Sequence, residues 1–554
     1  MKFALPTLRS TGRLTQPRVL LSLVLFAIIP TIFLVSALQL TKANGPQWLG
    51  TNFENSYAYL FNSLLLTQGL TPYHTDHPGT TTQLFGAICL LLSGNGTGDQ
   101  LVRAVIDHPE AFIKLIQRAL LVLGAASLWL RPWHAARRWG NWVAGLLLQL
   151  PFLFFYTVLT SCTWLDSELV LIALSAAALS LCFVLLREKD ALSFRAEITL
   201  GAICGLGLAT KLTFFPFILI GAVSCRGLKS LVVFAGSLLV AATIALIPIF
   251  PEWPRVFQWF TGMATHSGYY GTGSVGFVRL DRFPAEIVRL ISGEPMLGMI
   301  PIIATLAILI IAGYESVRRA EPTGFADPVG RARFHLGLVQ PVTSSAVRIF
   351  VAQVIAFLLI LKHGNYHYLI PLCLSTGLNL ALLHEDIWRR PGVPVPKIFG
   401  GLTIAILVFL GASSFRVRIP GAYVWLRDHR IQQLQLYARA KQMTQNSIRV
   451  DYYRSDSPEF ALYFGNFYAR RAFAKVLQEK FPNALFYNIF FGEFETFDRW
   501  IEPDSVRSQY DRLYFFGNEL TQISSYGPVH SFEPQNLTVI DRAGDYLLQE
   551  WVKR

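Results

Sequence analysis

A chain of 554 residues that is 53% hydrophobic and only 15% charged has far more apolar surface than a soluble domain of that length can bury, which excludes an ordinary soluble protein. Its net charge of +13 comes with no basic-aromatic patch and no zinc spacing, so the excess reads as cytoplasmic Lys and Arg and nucleic acid is excluded as a partner. The six cysteines, Cys89, Cys162, Cys182, Cys204, Cys225 and Cys373, lie in or beside apolar runs without a CxxC, and read as small buried hydrophobes.

The basic N-terminus MKFALPTLRSTGRLTQPR precedes VLLSLVLFAIIPTIFLVSALQL, a run of about 20 apolar residues. That run is longer than a signal-peptide core, and no clear cleavage site follows it. It is expected to be a retained first span with the basic tail in the cytoplasm. Further spans are expected at 111–131, 141–161, 167–186, 196–211, 212–226, 230–250, 296–314, 345–362, 366–384 and 398–415, about eleven in all, with 196–226 reading as two short helices or one broken one. This trace puts RPWHAARRWGN, REKDALSFR, CRGLK, ESVRRAEPTGFADPVGRARF and HEDIWRRPGVPVPK on one side. Each carries Lys or Arg, as cytoplasmic turns should. Counting GTTTQLFGAICLLLSG (79–94) as a span would invert every later turn, so it is expected to lie in the outer interface or to pack on the bundle. Beyond about 416 the apolar runs give way to charged and aromatic residues. NSIRVDYYR, NALFYNIFF and DRLYFFG read as strands, and SPEFALYFGNFYARRAFAKVLQEKF as an amphipathic helix with a Ser-Pro start. The expected fold is an α-helical polytopic membrane domain, 1–415, followed by an extracytoplasmic α/β domain, 416–554.

Several residues in the outer segments carry chemistry. Glu54 stands just beyond the first span, with the apolar-aromatic stretch YAYLFNSLLL after it. A carboxylate shielded by aromatics at the lip of a bundle can take a proton in catalysis; the plainer account is a solvated loop charge. Asp76 and His77 in YHTDHPG read as turn chemistry or as contacts to a polar substrate. Asp166 in TSCTWLDSELVL suits a helix cap, or a second acid beside Glu54 that holds an acceptor or a metal. Lys211 in GLGLATKLTFFPF is an ammonium between apolar stretches, suited to a phosphate or to snorkelling, and Arg118 in LIQRALLVLG repeats the pattern. His266 and Tyr270 lie in HSGYYGTGSVGF, where glycine permits an anion-binding nest or plain flexibility. The turn KHGNYHYLIP gathers Lys362, His363, Tyr366, His367 and Tyr368, the tyrosines suiting a membrane-interface belt and the Lys and His residues a phosphate or sugar.

Together these features resemble the GT-C superfamily of polytopic glycosyltransferases, with the nearest likeness to bacterial relatives of protein O-mannosyltransferases and lipid A aminoarabinose transferases. ENSYAYLFNSLLLTQGLTPY is similar to the acidic first outer loop of that family, HPGTTTQLFGA to its "HPPLG"-type helix start, and QRALLVLGA to its "Rl.sal.g" segment. GLGLATKLTFFPF is similar to its "G.a..tK....l.p" stretch and YHYLIPL to its "RYllpl" turn. The chain departs from the pattern in having a single acid in Asn52-Phe53-Glu54, HPG in place of HPP, and His367 where Arg is common. The resemblance implies an integral inner or plasma membrane enzyme with its active site outside. It implies inverting transfer of a sugar from a polyprenyl phosphate to a hydroxyl of a lipid, glycan or protein. Glu54 would be the catalytic carboxylate, Asp166 a second acid, and Lys211 and Arg118 the cations for the lipid phosphate. No cofactor is firmly implied, a divalent cation being the one candidate. A transporter or flippase of lipid-linked sugars, or a non-catalytic subunit of polysaccharide assembly, are the other readings. The absence of a clear internal repeat and the gathering of charges at outer ends of spans favour chemistry at one face.

Overall fold

The computed structural model describes residues 16–49, 53–76, 78–187, 193–266, 275–276, 282–320, 341–388, 394–445, 447–519 and 530–553. Eight described helices are long and apolar enough to cross a membrane: Val19–Asn44, Pro109–Trp139, Ser167–Arg187, Leu228–Thr265, Pro295–Tyr314, Ser344–His363, Tyr366–Trp388 and Pro394–Met443. Trp142–Phe154 and Tyr156–Thr163, bent by 70° at Phe155, make a ninth if they count as one span. Large apolar side chains such as Leu21, Val24, Leu239, Ile244 and Phe409 are exposed on these helices, which fits surfaces solvated by lipid.

The two spans expected at 196–211 and 212–226 form Ser193–Thr210 and Leu212–Ser224, separated by Lys211 in extended backbone. Both fall short of the 18-residue apolar window in their described residues, which is why eight or nine spans are found where about eleven were expected. The first of them packs closely on Leu228–Leu246. A Cβ on Gly201 would stand 2.4 Å from the Phe234 carbonyl oxygen, and one on Gly205 would stand 2.3 Å from that of Leu238. Only glycine lets the two backbones approach so far, as is common where helices pack without a hydrophobic drive between them. The segment at 79–94 forms the short helix Thr80–Leu92, packed on Phe53–Thr67 where Gly86 meets Ser63.

Charged groups inside the bundle gather at its two ends. At one end Glu385, 1% exposed, pairs with Arg187 at 2.7 Å and accepts from the Asn141 amide at 2.7 Å. At the other lie Asp166, Lys211, Glu294 and His367.

The last candidate span continues well past its apolar part. Pro394–Met443 is one 50-residue helix whose apolar start gives way to polar residues beyond Ser413, and its far end carries the C-terminal domain. That domain is a seven-stranded sheet of β1 (Ile448–Tyr452), β2 (Leu485–Asn488), β3 (Glu493–Glu495), β4 (Trp500–Ile501), β5 (Arg512–Asn518), β6 (Leu537–Ala543) and β7 (Tyr546–Val552). The order is β4-β3-β2-β1-β5-β7-β6, with β1 parallel to both β2 and β5 and the outer pairings antiparallel. The three stretches read as strands contain β1, β2 and most of β5. The stretch read as one amphipathic helix forms two, Pro458–Phe467 and Ala474–Lys480, broken where Arg470 and Arg471 take positive φ; at its Ser-Pro start the Ser457 hydroxyl accepts the Phe460 N–H at 3.1 Å. One face of the sheet holds Val450, Leu485, Phe494 and Phe515; the other packs Tyr514, Phe516 and Leu548 on Leu436 and Ala440 of the long helix.

The domain is also tied to the loops of the bundle. Gly465 lies against Tyr57 and Phe61, the Asn62 amide donates to the Tyr468 carbonyl at 3.0 Å, and Lys480 pairs with Asp107 at 2.7 Å.

Candidate active site

A cavity of about 630 Å³ opens where the bundle, the long helix and the β6–β7 turn meet. Asn55, Thr160, Trp164, Asp166, Glu294, Tyr366, His367 and Arg418 border it, along with Trp425 to Gln433 of the long helix and Asp545 and Tyr546.

Asp166 follows the bent Trp142–Thr163 segment and opens helix Ser167–Arg187. Its Oδ1 accepts the Ser167 N–H at 2.5 Å and the Ser167 hydroxyl at 3.1 Å, while its Oδ2 accepts the Asn55 amide at 2.9 Å. The single Ser167 hydroxyl proton is shared between Asp166 and Glu168, whose Oε2 lies 3.0 Å away, and Glu168 receives the Lys211 ammonium at 2.5 Å. Capping and a cavity position are thus combined in one carboxylate. Burial pushes the Asp166 carboxyl up to about 6, helped by the charge of Glu168 and opposed by that of Lys211. A carboxylate poised there changes its proton near physiological pH.

The structure brings four of the sequence-read residues to this place: Asp166, Tyr366 and His367 on the cavity, and Lys211 behind Asp166. The Lys211 ammonium stands 5.1 Å from the Tyr368 ring centre, and the rings of His367 and Tyr368 are 4.3 Å apart. Lys211, with 4% of its side chain exposed, is committed to Glu168 and does not border the cavity, so its reading as a phosphate ligand meets a competing partner. Arg118 is exposed on helix Pro109–Trp139, away from the cavity lining. Asp76 pairs with Arg255 at 3.2 Å, in a separate cluster where Arg255 and Arg470 lie 3.8 and 4.6 Å from the Tyr73 ring centre. Lys362 donates to the Ala264 carbonyl at 2.6 Å, His363 approaches that of Met263 at 3.4 Å, and His266 is half-buried beside Thr265. His77 and Tyr270 lie outside the described residues, as does the side chain of Glu54; its backbone is the second residue of helix Phe53–Thr67, directly before Asn55.

Sequence reasoning passed over four residues. Glu168 completes the acid pair and is the partner of Lys211. Glu294, 1% exposed, accepts the Thr157 N–H at 2.6 Å and pairs with Arg418 at 3.2 Å on the cavity wall, where burial raises its carboxyl above the usual range. Arg418 also lies 4.6 Å from the Tyr156 ring centre. His74, buried between Tyr59 at 5.3 Å and Tyr468 at 4.8 Å, has its imidazole pulled down by burial. The DSE sequence at 166–168 was the one available signal for Glu168. Among the described residues no three His, Cys, Asp or Glu side chains come together as a metal-binding group. The two acids nearest to one are already met by Asn55, Ser167 and Lys211.

No family model matches the chain, and no curated protein does. Among solved structures, ArnT from Cupriavidus metallidurans in the apo state is similar, with a TM-score of 0.47 and 13% identity over 94% of this chain and 97% of that one.

Proposed function

We propose that the chain transfers a sugar from a polyprenyl-phosphate donor to an acceptor hydroxyl at the outer face of the membrane, with inversion. The observation that carries this is a cavity at one end of the bundle that borders the Asp166 carboxyl, an arginine and a histidine. With the basic turns in the cytoplasm, that end faces out.

In this reading Glu54 takes the proton from the acceptor hydroxyl as its oxygen attacks the anomeric carbon. The bond from that carbon to the phosphate oxygen breaks, and the electron pair leaves with the lipid phosphate. Ionised Asp166 accepts a hydrogen bond from a neighbouring hydroxyl of the acceptor and so orients the attacking oxygen. Arg418, 30% exposed and on the cavity, meets the charge that grows on the phosphate. Lys211 acts at one remove, neutralising Glu168 so that Asp166 carries the free charge of the pair.

The test is turnover. Purified protein in nanodiscs is given polyprenyl-phosphate sugars with a membrane extract as acceptor source. Release of polyprenyl phosphate and an inverted product are expected. Donors that remain unconsumed while bound to the protein would overturn the reading.

A further inference from the structure

One part of the cavity wall plays no role in that chemistry. It is built by Asn44 at the end of the first span, by Trp425, Arg430 and Gln433 of the long helix, and by Asp545 in the β6–β7 turn. Asn44 and Gln433 are 6% and 3% exposed, yet the amide nitrogen of each lacks a hydrogen-bond acceptor on the protein among the described residues. The Arg430 Nε is in the same position. Buried donors left unmet are costly, and the large majority of buried side-chain polar atoms in folded proteins find a partner. Three beside one cavity point to a ligand rich in acceptor oxygens.

The rest of this wall narrows the chemistry. Trp425 and His429 stack at 5.0 Å with planes 11° apart, and Trp425 is 60% exposed. A flat aromatic face, planar amides and a carboxylate that accepts hydroxyl donors suit a pyranose ring, which offers C–H groups on one face and hydroxyls around its edge. The same Trp425–His429 stack also borders a second groove of about 600 Å³, lined by Pro420, Gly421, Asp428 and Gln432. The two spaces meet at the aromatic pair, so more than one ring fits across it. Arg430 is held against this wall by its bond to the Lys42 carbonyl at 2.8 Å. Its side chain runs over Gly45, whose φ of +90° and missing Cβ make the room.

We infer that the wall formed by Asn44, Trp425, Arg430, Gln433 and Asp545 is a saccharide subsite, and that the acceptor is a glycan chain whose end residue enters the cavity while further rings cross Trp425 into the groove. This rests on the transferase reading for the word acceptor; the binding of a saccharide does not.

The experiment is saturation-transfer NMR on the full chain in nanodiscs, with trisaccharides of β-1,4-glucose, α-1,6-glucose, β-1,4-N-acetylglucosamine and α-1,2-mannose as probes. Saturation transfer to the ring protons of at least one probe is expected. It should fall at least fivefold in Gln433→Ala and in Trp425→Ala, and be kept in Trp425→Phe, which preserves the stacking face. Because Trp425 is exposed, its loss leaves the fold intact, and thermal unfolding of each variant checks this. No transfer from any of the four probes, or equal transfer in wild type and both alanine variants, would overturn the inference. The readout needs no turnover, so it can fail while the transferase reading holds, and the reverse.

Discussion

Lys211 and Glu168 form an ion pair at 2.5 Å with 4% and 1% of their side chains exposed. Removing either partner strands a buried charge, at a cost of about 3–5 kcal/mol. Lys211→Met should therefore lower the thermal midpoint sharply, and Lys211→Met with Glu168→Leu should recover most of it while activity stays lost. A double variant no more stable than the single one would show that the pair does not act as a unit. Asp166 gives a second prediction at this scale. Held at about 6, it is ionised above that pH and protonated below it, and only the ionised form accepts the acceptor hydroxyl. Turnover should fall about tenfold per pH unit below 6. The charges nearest it are Glu168 and Lys211. Glu168→Gln removes the repelling one and leaves Lys211 to attract, so the inflection should move to lower pH. A pH–rate profile of wild type and variant checks the sign, and an unmoved inflection would assign it to another group.

Among the elements, helix Phe53–Thr67 matters most, because it carries Glu54 and Asn55 at one end and supports the C-terminal domain along its length. Helix Pro458–Phe467 crosses it at Gly465, where a Cβ would stand 3.0 Å from the Tyr57 carbonyl oxygen and from Phe61. Gly465→Val should loosen the domain from this helix and make it more sensitive to protease, with cleavage in the variant under conditions that spare the wild type. Unchanged protection would mean that the sheet's packing on Leu436 and Ala440 suffices alone. Three of the seven strands, β1, β2 and β5, were legible because their aromatic runs are short and bounded by turns, and Ser457-Pro458 marked a helix start; β3, β4, β6 and β7 were not read. The break at Lys211 was legible as two apolar halves. What was hidden is long-range pairing: Glu294 and Arg418 lie 124 residues apart, and each reads locally as an ordinary turn or juxtamembrane charge. Glu168 was masked by its place in a first helical turn, where an acid is expected for the helix dipole alone.

Across the whole molecule, the bundle sorts its charges to opposite ends, and the proposed orientation assigns those ends to opposite sides of the membrane. With half-buried Cys89 and Cys225 replaced by Ser, a cysteine at the exposed Asn95 should react with an impermeant maleimide in intact cells. One at the exposed Lys229 should react only after the membrane is opened. The opposite pattern would turn the cavity to the cytoplasm and remove the outer-face assignment. The long helix Pro394–Met443 also matters at this scale, because it runs unbroken from its apolar part to the sheet that packs on Leu436 and Ala440 and carries Trp425 to Gln433 along the cavity. The sequence boundary at 416 marked the end of its apolar part, a change in composition that the helix itself runs through without interruption.

The central claim is that carboxylates at this cavity activate an acceptor toward a lipid-linked sugar. It is tested most directly by measuring donor affinity and turnover side by side in wild type, Glu54→Gln and Asp166→Asn. The account predicts donor affinity within about twofold of wild type and turnover lower by at least about a hundredfold in each variant. Turnover near wild type in both, with the donor still bound, would contradict it.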